Sequence, residues 1–187
     1  MIKAMTNTWF TSDLHFGHDR EFIWGPRGYK DVEEMNRIQL EKFNSVVKPE
    51  DTVYILGDCM LGDNEIGEEF FKQLNGEIII ILGNHDTNSR IEIYKKYAKE
   101  VVYAKRIKLK KKTFYLSHFP TITANPGDDP GHCTYNLYGH THQQTKFYED
   151  RPYMYHVGVD SHNGYPVSID TIISDIKEKI DECVEFM

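Results

Sequence analysis

Four consecutive isoleucines, Ile78 to Ile81, running into Leu82, constrain this chain more than any other stretch. Successive side chains of a strand point to opposite faces, so an apolar, β-branched run without alternation must be covered on both sides. That is the pattern of a central strand in a largely parallel sheet flanked by helices. The neighbouring segments agree. Residues 8–12 and 52–56 read as strands. Residues 31–47 read as a helix, with Val32, Met35, Ile38, Phe43, Val46 and Val47 at helical spacing, Asp31 and Glu34 as an N-terminal cap pair, and Pro49 as the stop. Residues 64–74 read as a second helix closed by Asn75-Gly76, and residues 89–98 as a third. Alternating strands and helices of this kind are α/β organisation.

The second half changes character. Residues 101–109, 113–117, 135–139 and 153–159 read as strands joined by turns. The lysine-rich stretch between the first two reads as an exposed hairpin, whose lysines also discourage edge-to-edge pairing. Residues 168–183 read as a closing helix with Ile169, Ile172, Ile173, Ile176 and Ile180 on one face. Residues 120–134, holding Pro, Gly, Asp and Asn, are too many for a simple turn, and loops of that length are often functional. With 187 residues and no repeat or linker, one domain over 1–187 is expected. No apolar run approaches the ~18–20 residues of a membrane span, and the N-terminus shows no signal-peptide core. Three cysteines without CxxC spacing point to a reducing, cytoplasmic setting. The net charge of −7 argues against strong binding of duplex nucleic acid.

Five short segments follow the strand-like runs: Asp13-Leu14-His15, Gly57-Asp58, Gly83-Asn84-His85-Asp86, Ser117-His118 and Gly139-His140-Thr141-His142. Ligands of open α/β sheets bind at the carboxyl ends of strands. Singly, Asp13, Asp58 and Asn84 read as caps or turn formers; together with the histidines they read as a metal cluster. The mixed oxygen and nitrogen set suits Mn, Fe, Zn, Co or Ni rather than Ca or a structural zinc. Seven candidates (Asp13, His15, Asp58, Asn84, His118, His140 and His142) exceed one tetrahedral site. They suit two divalent ions ~3.5–4 Å apart.

The order D-x-H, G-D, G-N-H-D, S-H, G-H-T-H across residues 13–142 resembles the calcineurin-like metallophosphoesterases. Phe16-Gly17-His18 and Val157-Gly158-Val159-Asp160 resemble a small bacterial and phage-type branch of that family. The resemblance implies a four-layer α/β/β/α sandwich, two β-sheets packed face to face with flanking helices. It implies that Asp13, His15 and His142 hold one metal, that Asn84, His118 and His140 hold the other, and that Asp58 bridges them. A metal-bridging water or hydroxide would attack phosphorus. His85 would assist the leaving group, and Asp86 would orient and charge His85. One position departs from the family pattern: the residue three after Asp58, often acidic or amide, is Leu61, and Asp63 comes two later. That departure bears on the geometry of the loop.

The expected function is therefore hydrolysis of small phosphate esters, phosphodiesters foremost, with a nucleotide among the candidate substrates. Two other readings compete: a metal-stabilised scaffold that binds a partner without catalysis, and a nuclease for short single strands. The intact ligand set and His85 favour the enzyme over the scaffold, and the acidic charge weighs against long duplexes. His18, Arg27 and His132 are candidates for substrate contact. His18 either approaches the metals or substrate or packs under the first loop. Arg27, like Arg20, could clamp a phosphate bidentately, although a solvated arginine is the commoner state. His132 would line a pocket from the long loop. Phe22, Trp24 and Tyr29 either stack a base or cover the first loop. His156 and His162 read as structural or exposed, and Cys59 as a packing residue.

Overall fold

The computed structural model describes residues 6–125, 128–129 and 132–185. Part of the expected long loop (residues 126–127 and 130–131), the first five residues and the side chain of Cys183 lie outside that description. In chain order the elements are β1 (Thr8–Thr11), α1 (Glu21–Trp24), α2 (Val32–Val46), β2 (Thr52–Leu56), α3 (Asn64–Phe71), β3 (Glu77–Ile81), α4 (Asn88–Tyr97), β4 (Glu100–Val102), β5 (Ala104–Leu109), β6 (Lys112–Ser117), β7 (Thr134–Tyr138), β8 (Met154–His156), β9 (Val167–Ser168) and α5 (Ile169–Glu185). They form two sheets, ordered β4-β3-β2-β1-β9 and β5-β6-β7-β8. The first is parallel except for β9. The second is an antiparallel hairpin extended by two parallel strands.

β3 explains the layering. Ile78 and Ile80 enter a core with Phe43, Phe71, Ile93 and Tyr94 from α2, α3 and α4. Ile79 and Ile81 enter a separate core with Phe114, Leu116, Leu137 and Tyr155 of the second sheet, to which α5 adds Ile169, Ile172 and Ile176. The run is indeed covered on both faces, by helices on one side and by a second sheet on the other. Burying one such side chain contributes roughly 1.5–3 kcal/mol, so the strand with no polar face anchors both layers at once.

Local signals are met where they were strongest. Asp31 accepts from the Glu34 N–H at 2.8 Å and Glu34 reaches back to the Lys30 N–H at 2.9 Å, capping α2. Asp63, the displaced acidic residue, caps α3 through the Glu65 and Ile66 N–H groups. Lys110 (φ +48°) and Lys111 (φ +68°) form the two-residue left-handed turn of the expected hairpin. Two expectations are corrected. The single strand over 101–109 is two strands in different sheets, separated at the exposed Tyr103. The strand over 153–159 ends at His156, and the chain turns through a short 3₁₀ segment, Val159–Ser161. α1 and β9 are four and two residues long, too short to leave a periodic signal. No helix among the described residues is long and apolar enough to cross a membrane.

The two sheets meet at one end. Ser12 pairs with Gly158 as a parallel bridge, the Val159 N–H donates to the Ser12 carbonyl, and the His140 N–H donates to Asp13 Oδ2. The carboxyl ends of β1, β2, β3, β6 and β7 all open at this seam.

Candidate metal centre

The segments after these strands deliver the predicted ligands in unusual backbone conformations. Asp13 (φ +58°), His15 (φ +55°), Asp58 (φ +52°), His140 (φ +70°) and His142 (φ +48°) all lie in the left-handed region. Asp and His tolerate it better than most residues, yet each such residue costs on the order of 1 kcal/mol or more. Loop-to-loop bonds hold them there: the Asp13 N–H donates to Gly57 O and the His15 N–H to Asp58 O, both at 3.1 Å. Gly57 (φ +86°) makes the crossing possible. A Cβ on it would stand 2.4 Å from His118 Nδ1 and 2.7 Å from the Cα of Gly83.

Two triads of ligand atoms result, Asp13 with His15 and His142, and Asp13 with Asp58 and His118, the atoms of each lying within 4.8 Å of one another. Asp13 Oδ2 accepts from Ser12 Oγ at 2.6 Å and from the His140 N–H at 2.9 Å. Its Oδ1 is buried without a hydrogen-bond partner among the described residues and faces His15 Nε2 at 3.9 Å and His142 Nε2 at 3.7 Å. Those two ring nitrogens are 3.1 Å apart. On the other side, His118 Nδ1 donates to the Leu56 carbonyl at 2.7 Å, which directs Nε2 at Asn84 Oδ1 (2.9 Å) and Asp58 Oδ2 (3.4 Å). The His140 ring lies 5.0 Å from that of His118. All seven predicted ligands thus gather at one seam; the residue common to both triads is Asp13, whereas the expected bridge Asp58 belongs to one.

The electrostatics fit a cation. Burial pushes the Asp13 carboxyl up and the His15 imidazole well down. Burial also opposes ionisation of Asp58 and His118, but their mutual hydrogen bond and charge win, taking Asp58 down to about 2 and His118 up to about 9. The buried carboxylates thus create a demand for positive charge at this seam. Lone pairs converge at both triads: one divalent ion would satisfy Asp13 Oδ1 with the paired nitrogens of His15 and His142, and a second would meet Asp58, Asn84 and His118. The donor set, oxygen and imidazole without thiolate, matches the expected metals.

Around the ligands stand residues whose sequence roles change. Arg27 is not free to clamp a phosphate. Its Nε and Nη2 bond both oxygens of Asp160 at 2.8 and 3.0 Å, and Nη2 also donates to the Asp13 carbonyl at 2.8 Å. Asp160 Oδ2 in turn lies 3.0 Å from His142 Nδ1. Burial opposes its charge, but His142 and Arg27 hold its carboxyl far below the usual range. Sequence reasoning misses Asp160: it ends the Val157-Gly158-Val159-Asp160 motif, but no local signal pairs it with Arg27 or His142. Asp86 makes no hydrogen bond to the His85 ring among the described residues. Its Oδ2 accepts from the N–H groups of Gly83 (2.7 Å) and Asp58 (3.1 Å), and its Oδ1 from the Tyr94 hydroxyl (2.6 Å). It staples two ligand loops together instead of orienting His85. The His85 backbone N–H donates to Asp58 Oδ1 at 2.9 Å, and its exposed ring stands 6.0 Å from that of His15.

His18 lies beside the cluster, its ring 5.4 Å from that of His15. His132 does not join it: the side chain is 88% exposed and pairs with Asp129 at 2.7 Å. His156 is buried and structural, bonding Ser161 Oγ at 2.8 Å, and His162 Nε2 donates to the His156 carbonyl at 2.9 Å. Cys59 is buried in the helix-side core, where burial pushes its thiol pKa well up.

Comparison with known proteins bears on the same residues. Residues 8–177 match the calcineurin-like phosphoesterase superfamily domain. An uncharacterized protein of Methanocaldococcus jannaschii, MJ1445, is 30% identical over 184 residues, covering 94% of each chain. The Gene 66 protein of Mycobacterium phage L5 is 32% identical over 167 residues, covering 74% of this chain and 78% of its own. Among solved structures, the protein of unknown function AQ665 from Aquifex aeolicus superposes with a TM-score of 0.67 at 26% identity, covering 96% of this chain and 100% of its own. The domain match runs through every ligand-bearing loop of the seam, and the chain belongs to the calcineurin-like phosphoesterase superfamily, the metal-dependent hydrolases of phosphate esters.

Proposed function

We propose that this chain is a dinuclear phosphodiesterase of the cytoplasm, with Mn²⁺ as an activating ion. One ion would be held among Asp13, His15 and His142 and the other among Asp58, Asn84, His118 and His140. The resemblance makes Asp58 the bridge; the place of Asp13 in both triads supports a shared-carboxylate arrangement. When bound, two such ions supply water acidic enough to act at neutral pH and positive charge for the phosphoryl oxygens.

The chain supplies the rest. His85 is the group that would give a proton to the departing oxygen. Its backbone is tied to Asp58 and its carbonyl accepts from Arg90 Nη1, while its ring is exposed beside His15. A proton donor must be anchored yet able to reach substrate, and the anchored, exposed His85 supports that role. Asp86 and Tyr94 keep the Asp58 and Asn84 loops in register. The observation that carries the proposal is this convergence of the full ligand set with an anchored, solvent-facing His85.

The test is hydrolysis of bis-p-nitrophenyl phosphate by Mn²⁺-loaded protein. His85→Ala should lower kcat by roughly 10²–10⁴-fold while keeping bound Mn²⁺, and Asp58→Ala should lose both. Loaded wild-type protein that cleaves no phosphoester faster than His85→Ala would overturn the proposal.

A further inference from the structure

Two exposed phenylalanines flank the metal centre, one at each end. Phe119, 49% exposed, meets the rings of His140 at 4.7 Å and His118 at 5.2 Å. Phe22, 70% exposed, stands edge-on to His18 at 5.7 Å, and His18 adjoins His15. They come from separate segments, Phe119 from the loop after β6 and Phe22 from α1. Neither ring belongs to the two buried cores. A scattered exposed apolar residue needs no explanation. A pair of flat rings bracketing a cluster of buried carboxylates and imidazoles does, because neither joins a buried core and each meets a histidine at the edge of the ligand cluster.

We infer that the substrate is a phosphodiester with a planar, base-like group on each side of the phosphate, of the dinucleoside monophosphate type. This rests on the phosphodiesterase reading and adds the substrate class to it. Aromatic side chains stack any base, because every base has a π-face, and each stack strengthens binding by roughly five- to hundredfold. The two ends are assigned by His85. Its ring lies beside His15, on the Phe22 side, and the proton donor belongs with the leaving group. Phe22 and His18 therefore receive the base of the departing nucleoside, and Phe119 the base that stays with phosphorus. Water adds across one P–O bond. The proton that His85 gives to the departing oxygen is restored from that water, and the products are a nucleoside and a nucleotide. A diester with one charge between two uncharged rings also suits a chain of net charge −7 better than a polyanion does.

The experiment compares two diesters with the same leaving group: the p-nitrophenyl diester of thymidylate and methyl p-nitrophenyl phosphate. With Mn²⁺-loaded wild-type protein, kcat/KM should favour the thymidylate ester by about tenfold or more. The ratio should collapse towards one in Phe119→Leu, which keeps an apolar cover over His140, and should be retained in Phe119→Trp. In parallel, saturation-transfer NMR on metal-free protein reads contact with the thymine rings of thymidylyl-thymidine, which should weaken in both Phe22→Leu and Phe119→Leu. If both esters are cleaved equally, or the ratio survives Phe119→Leu, the substrate assignment is overturned and the phosphodiesterase reading stands. If neither ester is cleaved, the phosphodiesterase reading falls, and thymine saturation unchanged by the two variants would overturn the aromatic platforms as well.

Discussion

Replacing Asp160 by asparagine tests how the centre is held. The carboxylate is 6% exposed and faces an Arg27 side chain that is 7% exposed. Asparagine keeps the shape and one acceptor but removes the charge, and its amide N–H₂ must then face either Arg27 or His142. Removing one partner of a buried ion pair costs about 3–5 kcal/mol. The surviving acceptor recovers part of this, leaving a loss of about 2–4 kcal/mol. For a domain of this size each kcal/mol lowers the melting temperature by roughly 2–4 °C, so Asp160→Asn should melt roughly 4–16 °C lower without metal. The second effect is on metal. Asp160 fixes His142 by its Nδ1, leaving Nε2 towards Asp13, and losing such an outer partner typically weakens metal affinity by about 10–100-fold. Calorimetric melting of metal-free protein and Mn²⁺ titration separate the two effects, and a double-mutant cycle with Arg27→Met isolates the pair. A melting shift under about 2 °C together with Mn²⁺ affinity within about threefold of wild type would refute the reasoning.

Other outcomes follow from the same geometry. Gly57→Ala places a Cβ 2.4 Å from His118 Nδ1 in a left-handed backbone; it should cost about 2–4 kcal/mol, and a urea midpoint near wild type would contradict the packing described. Tyr94→Phe leaves Asp86 Oδ1 without its 2.6 Å donor and should cost about 1–3 kcal/mol, read by urea unfolding; no loss would mean that the staple does not matter. His156 is held by burial at a pKa of about 3, whereas the unfolded chain takes up that proton near about 6.5. Between those values the unfolded state binds more protons, so stability falls as pH falls, by up to about 1.4 kcal/mol per pH unit from this group. His156→Gln should flatten the stability slope between about pH 4 and 6, and an unchanged slope in urea titrations would reject that role.

What could be read from sequence divides along a physical line. The Ile78–Leu82 run and the helix spacing of residues 31–47 are local patterns, and they appear where expected. The clustering of the seven candidate ligands was legible because each follows a strand in a fixed order, so chemistry and topology reinforce one another. Arg27 and Asp160 were not legible as a pair. They are far apart in the chain, and nothing local says that a carboxylate will be buried opposite a particular guanidinium. Asp86 shows the same limit. Its position after His85 suggests contact with that ring, but backbone turns decide which neighbours a side chain meets, and here they are N–H groups of two loops. The sheet change at Tyr103 leaves no mark in the sequence, because the strand-like pattern continues across it without glycine or proline.

The left-handed backbone at five candidate ligands has a consequence for inheritance. In metal-free protein, glycine or asparagine at His140, whose ring makes no hydrogen bond among the described residues, would ease that conformational cost. At Asp13 and Asp58 the same gain is offset by the hydrogen bonds and ion pair that their buried carboxylates make. A descendant released from selection for catalysis would therefore lose the imidazole of His140 before it lost the buried carboxylates.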